Sequence, residues 1–122
     1  MLIAVYGTLK KGGSNHKLLG DSAFIGSGCT PYSYYMLDLG YFPAITPGNH
    51  SIYCEVYDVS PTVLSLLDKL EGSPTFYNRE PVKISLEDSD EVLSAEIYVL
   101  QRKVSGRLVT NCLANGAIVW SN

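Results

Sequence analysis

Apolar positions along this chain follow two periods, and the switches between them divide it into elements. "LIAVY", Leu2 to Tyr6, is a continuous apolar run that stops at Gly7, the mark of a buried first strand. "SIYCEVYDV" alternates, with Ile52, Cys54 and Val56 on one face and Tyr53, Glu55 and Tyr57 on the other. The next apolar residues switch to a helical period over Pro61 to Glu71. Ser60 suits the N-cap, Pro61 the first helical position, and Gly72 the left-handed residue past the end. Alternation resumes in "EPVKISLE" and "VLSAEIYVL", with Glu87 to Glu91 as an acidic hairpin tip, which predicts an antiparallel pair with one wet face.

The remaining stretches are less regular. Gly7 to Gly13 reads as a loop, followed by a short helical turn, "NHKLLG", that Ser14 can cap and Gly20 ends. Residues 23–48 mix β-formers with Gly and Pro and predict two irregular strands and a turn around Gly40 to Pro47. From Gln101 onward apolar residues recur without a clean period. The sum is a single α+β domain, residues 1–122, whose one long helix packs on or beside a curled β-sheet.

The helix poses a chemical question. With Leu64 at zero, Val63, Leu66, Leu67 and Leu70 fill an arc from roughly 200° to 300°, and Glu71 falls near 340°, the edge of the apolar face. An acid in the last turn meets the negative end of the helix dipole, and apolar surroundings disfavour its charge further. Both effects raise its pKa toward what a general base needs near neutral pH. The alternative is an ordinary side chain ion-paired to Arg79 or Lys69.

Composition narrows the classes. With 122 residues, 46% of them hydrophobic, the chain can build one core and one site. Net charge is −3 and the nine basic residues are scattered, so nucleic acid is not an expected partner. The first apolar run is too short for a signal segment or a membrane span, which predicts a cytoplasmic protein. Cys29, Cys54 and Cys112 form no C-x-x-C pair and read as free thiols. His16 and His50 read as ordinary polar residues, "NHS" at Asn49 as a chance sequon, and no cluster has metal-ligand spacing, so no metal or cofactor is implied. Nine tyrosines are many for this length. Tyr32, Tyr34, Tyr35, Tyr41, Tyr53 and Tyr57 are candidates for lining a cleft, although half-buried strand positions account for most of them.

A second stretch, "VYGTLKKGGSNHKLL", ends the first strand in Gly and Thr. Such a turn lets backbone approach a ligand and leaves N–H groups free for a small anion. Taken in order, "YGTL" (Tyr6 to Leu9), "GYFPAI" (Gly40 to Ile45), "EVYDV" (Glu55 to Val59), "LDKLEG" (Leu67 to Gly72) and "YNR" (Tyr77 to Arg79) resemble the γ-glutamylcyclotransferase-like family, over about two thirds of the chain. The resemblance implies a compact mixed β-barrel-like sheet with one main helix and a ligand cavity at one end. It implies that Tyr6, Gly7, Thr8 and Leu9 hold the α-carboxylate of a γ-glutamyl group, that Glu71 is the catalytic base, and that Tyr77 closes the pocket. Arg79 is assigned to fold electrostatics. The implied enzyme is cofactor-independent, of acyltransferase or C–N lyase type. It acts on a small γ-glutamyl amine, peptide or metabolite and releases 5-oxoproline.

The chain departs from the family at Cys54, where relatives carry glycine and where a larger side chain narrows the cavity or fills the core. Two other classes stay open. A non-catalytic small-molecule binding module would need no base at a desolvated position. A structural or interaction protein would pair Glu71 with Arg79 and fill the cavity. The leaving amine, the oligomeric state and the role of residues 101–122 are not specified by these motifs.

Overall fold

A computed structural model describes all 122 residues. Five strands close a barrel in the order β1 (Leu2–Val5), β5 (Tyr53–Asp58), β2 (Ala23–Cys29), β6 (Tyr77–Leu86) and β7 (Val92–Leu100), with β7 returning to β1. Every pairing is antiparallel except that last one, where Ile3 and Ala4 lie beside Glu96 and Ile97 in parallel register. A three-stranded sheet of β4 (Pro43–Pro47), β3 (Tyr34–Asp38) and β8 (Arg107–Leu108) flanks the barrel. Closure leaves the barrel without unpaired edges.

The alternation of β5 has the consequence expected of it. Ile52, Cys54 and Val56 enter a core with Ala4, Val82, Ile84, Ala95 and Ile97 inside the barrel. Cys54 is fully buried there, with Sγ 3.7 Å from the Gly28 carbonyl, so its larger side chain fills the core. All three cysteines are free thiols.

A second core lies outside the barrel wall. The helix α1 (Pro61–Glu71) covers it, placing Leu67 over Ile3, Val5, Tyr77, Tyr98 and Leu100. Its ends follow the local chemistry of the sequence. The Ser60 hydroxyl accepts from the Val63 N–H, and Gly72 adopts φ 64°, ψ 36°, with Ser73 N–H returning to the Asp68 carbonyl. The expected wet face of the β6–β7 pair holds only near the hairpin tip, where Lys83, Ser85, Val92 and Ser94 are exposed. Toward the other end Tyr98 and Leu100 are buried on that face.

Two local expectations change. Residues 43–47, expected as a turn, form strand β4, and the turn occupies Leu39 to Phe42. Two prolines are tolerated because β4 is an edge strand of its sheet, where a missing N–H breaks no ladder. The short helical turn is a 3₁₀ helix over His16–Leu19 with Asn15, not Ser14, at its N-cap position and no side-chain cap. Lys10 is buried, its Nζ 2.6 Å from the Trp120 carbonyl.

Finally, the irregular tail is ordered by long-range bonds. Ile118 exchanges backbone hydrogen bonds with the residues flanking Ile52, donating to Ser51 and accepting from Tyr53. No helix is long and apolar enough to cross a membrane.

Candidate active site

The end of β1, the C-terminus of α1 and the start of β6 meet around a cavity of about 380 Å³. Val5, Tyr6, Leu9, Tyr77 and Tyr98, all buried, line its inner part, while Thr8, Ser14 and Asn15 supply polar wall. All six residues singled out in the sequence, Tyr6, Gly7, Thr8, Leu9, Glu71 and Tyr77, line this one cavity. Of the six cleft tyrosines considered, only Tyr41 reaches it.

The strand ends at Val5 because the chain turns sharply at Gly7. A Cβ there would lie 2.7 Å and 2.8 Å from the Pro43 ring, closer than any real contact. The loop is then fixed through its carbonyls. That of Gly7 accepts from Lys10 N–H and Asn122 Nδ2, that of Thr8 from Asn15 N–H, and that of Leu9 meets His16 Nδ1 at 2.8 Å. The N–H groups of Gly7, Thr8 and Leu9 donate to no acceptor in the protein. Three successive amides on a braced loop at the cavity wall are thus donors without a partner in the protein. The tail takes part in that bracing through Trp120 and Asn122.

Glu71 is the only charged side chain lining the cavity, and it has neither a hydrogen bond nor an ion pair within the protein. Burial raises its pKa to about 7. Arg79, one of the two expected partners, is fully engaged elsewhere. Its Nε and Nη2 lie 2.9 Å and 3.2 Å from the two Asp68 oxygens, and Nη1 donates to Glu96. Lys69, the other, makes no ion pair. The arrangement required of a purely structural protein, a Glu71–Arg79 pair over a filled cavity, is absent.

The helix is also rotated from the expected arc. Leu66 and Leu70 are exposed, while Val63, Leu64, Leu67, Asp68 and Glu71 turn inward, so Glu71 lies well within the inward face. Asp68 explains the rotation. Its Oδ1 accepts from Tyr98 Oη at 2.7 Å as well as from Arg79, which ties the last turns of α1 to β6 and β7. Replacing Asp68 with Asn should remove the bidentate pair. These groups are partly exposed, so the expected cost is about 1 to 2 kcal/mol. Urea denaturation of the variant measures it.

The tyrosine hydroxyls around Glu71 are committed. Tyr6 Oη donates to the Tyr98 carbonyl at 2.8 Å and accepts from the Ile45 N–H, and Tyr77 Oη donates to the Pro43 carbonyl at 2.9 Å. Burial pushes all three phenols up, joined at Tyr6 and Tyr77 by the nearby Glu71 charge and at Tyr98 by its bond to Asp68. None is a free proton donor. Tyr98 was not singled out in the sequence. Its alternation with Glu96 and Leu100 is visible there, but not that α1 covers that face. No group of three or more His, Cys, Asp or Glu side chains is placed to hold a metal ion.

The sequence profile described as "Gamma-glutamyl cyclotransferase, AIG2-like" matches residues 3–115. A Vibrio cholerae protein with the provisional name γ-glutamylcyclotransferase is 40% identical over 82 residues, covering 67% of this chain and 71% of its own. The rat protein named γ-glutamylaminecyclotransferase is 35% identical over 100 residues, 67% of this chain but only 62% of the rat protein, so the chain spans less than two thirds of that relative. Among solved structures, an AIG2-like protein from mouse superposes with a TM-score of 0.77 at 30% identity, covering 84% of this chain and 78% of the mouse chain. With a profile match over nearly its whole length, relatives above 30% identity and the same barrel, the chain belongs to the γ-glutamyl cyclotransferase, AIG2-like family.

Proposed function

We propose that this protein is a γ-glutamyl cyclotransferase that converts a small γ-glutamyl amine into 5-oxoproline and the free amine, with Glu71 as general base. The observation that carries this reading is one cavity holding an unpaired, desolvated carboxylate together with three free backbone N–H groups. A γ-glutamyl compound needs both. Its α-carboxylate is an anion suited to the amides of Gly7, Thr8 and Leu9. Its α-amine is the nucleophile, but as an ammonium it cannot attack until a base removes a proton.

In this mechanism the loop fixes the α-carboxylate and thereby directs the α-ammonium toward Glu71. Glu71 takes one proton. The amine nitrogen then forms a bond to the γ-carbonyl carbon, closing a five-membered lactam, and the bond from that carbon to the leaving nitrogen breaks. The proton held by Glu71 passes to the leaving nitrogen, and Glu71 then takes the second proton that the ring nitrogen must lose and passes it to the departing amine, which leaves as an ammonium with the carboxylate regenerated. The protein contributes chiefly by holding a flexible substrate folded and by shuttling protons from the attacking nitrogen to the leaving one. Tyr77, braced on Pro43, shapes the wall beside Glu71. A binding module that never turns its ligand over has less support, because a partly desolvated carboxylate without a partner costs stability and serves recognition poorly.

The test is the pH dependence of 5-oxoproline release, followed by mass spectrometry. Glu71 must be ionised in the free enzyme, so kcat/KM should rise about tenfold per pH unit below about 7 and level off above it. A profile flat from pH 5 to 8, or no release from any γ-glutamyl amine, contradicts the reading.

A further inference from the structure

The inner part of the cavity accounts for the γ-glutamyl half of a substrate, and its outer part has a chemistry of its own. Five lining residues are exposed, Ser14, Tyr41 at 95%, Phe42 at 39%, Leu70 at 42% and Gly72, and these mark the rim. Phe76 joins them from the loop after α1. Ser14 is the one polar side chain among the exposed residues; Tyr41, Phe42, Leu70 and Phe76 present rings and alkyl surface, and none of these residues is charged. The α-carboxylate and α-amine of a bound substrate are taken up by the loop and Glu71, so the group on the γ-nitrogen must extend toward this rim.

We infer that the leaving amine carries an uncharged, apolar group, alkyl or aryl, rather than an amino acid with a free carboxylate or a second ammonium. This rests on the cyclotransferase reading and deepens it. No basic side chain lines the cavity to meet a carboxylate. Lys10 is buried against the Trp120 carbonyl, Lys11 lies over the Phe24 ring at 4.6 Å, and Arg79 is held by Asp68 and Glu96. Arg102 is not in the lining and sits 6.0 Å from the Phe76 ring centroid. A carboxylate at the rim would lose water without gaining a partner and would face the charge of Glu71. A second ammonium would compete with the α-ammonium for Glu71, the one carboxylate of the cavity, and would otherwise find only ring faces, a weak partner in an open site. An alkyl or aryl group would bury apolar surface against Tyr41, Phe42, Leu70 and Phe76. Exposed apolar side chains gathered at a cavity entrance are themselves a common mark of a recognition surface.

Three substrates of nearly equal size separate these cases: γ-glutamyl-n-butylamide, γ-glutamyl-β-alanine and γ-glutamyl-1,3-diaminopropane. Initial rates of 5-oxoproline release at pH 7.5 should give a kcat/KM for the butylamide at least tenfold above either charged compound. Tyr41→Ser, a change at a side chain almost wholly in solvent, should raise KM for the butylamide several-fold and narrow both ratios. Equal or faster turnover of the β-alanine or diaminopropane compound overturns the inference while leaving the cyclotransferase reading intact. Release from none of the three removes that reading and this inference with it.

Discussion

Glu71→Gln should abolish catalysis and stabilise the fold. Removal of a general base lowers turnover by about 10²- to 10⁴-fold, and no other titratable group in the cavity is free to replace it, since the three phenols are raised and hydrogen-bonded to the protein. The stability effect follows from the same shift. The Glu71 pKa is about 7 in the folded protein against 4.5 as its ordinary value. Below pH 4.5 both states hold the proton and nothing is gained or lost. Between pH 4.5 and 7 the folded state holds more protons than the unfolded one, so stability falls as pH rises, and above 7 the loss is complete. It amounts to about 3 kcal/mol, which the Gln variant avoids. Urea melts should therefore show the variant more stable than wild type at pH 8 and level with it at pH 4. A residue serving only the fold would give a less stable variant at both.

Gly7→Ala should be nearly as damaging to activity for a steric reason. The new Cβ would meet Pro43 Cγ at 2.7 Å, and reaching an ordinary contact of 3.4 Å requires a shift of about 0.7 Å. The proline cannot yield readily. It is buried at the start of β4, and its carbonyl accepts from Tyr77. The loop must move instead, and with it the amides of Gly7, Thr8 and Leu9. Displacements of that size cost up to about 100-fold in rate when a substrate depends on the position. We expect kcat/KM to fall about 10- to 100-fold, mostly through KM, with about 1 to 3 kcal/mol of stability lost to overpacking. Steady-state kinetics and thermal melts on the same preparation read both.

How much of this was legible in the sequence depended on whether the deciding interaction was local. The helix boundaries were readable because Ser60, Pro61 and Gly72 act on their own turns. The free amides of the glycine loop were readable because a strand that stops at Gly7 leaves its next N–H groups without a ladder. The rotation of α1 was not. Leu70 faces the cavity rim and Asp68 faces Arg79 and Tyr98, so a leucine and an aspartate exchange the faces that their hydropathy alone would assign. Strand β4 was hidden by Pro43 and Pro47, which only an edge position permits. The tail was unreadable because its order comes from β5 and the glycine loop, distant in sequence. For the site this meant that each candidate residue could be named, while the commitment of Arg79 to Asp68 and Glu96, which leaves Glu71 unpaired, required the fold.

The central claim is that an unpaired carboxylate poised near neutrality and an anion-binding loop share one cavity. Its most direct test is the titration of the Glu71 side-chain carboxyl by ¹³C NMR, in the free protein and in the presence of 5-oxoproline. The account predicts a midpoint near 7 in the free protein, moved upward when the ligand carboxylate binds beside it. A midpoint in the ordinary range near 4.5, unmoved by the ligand, would contradict it.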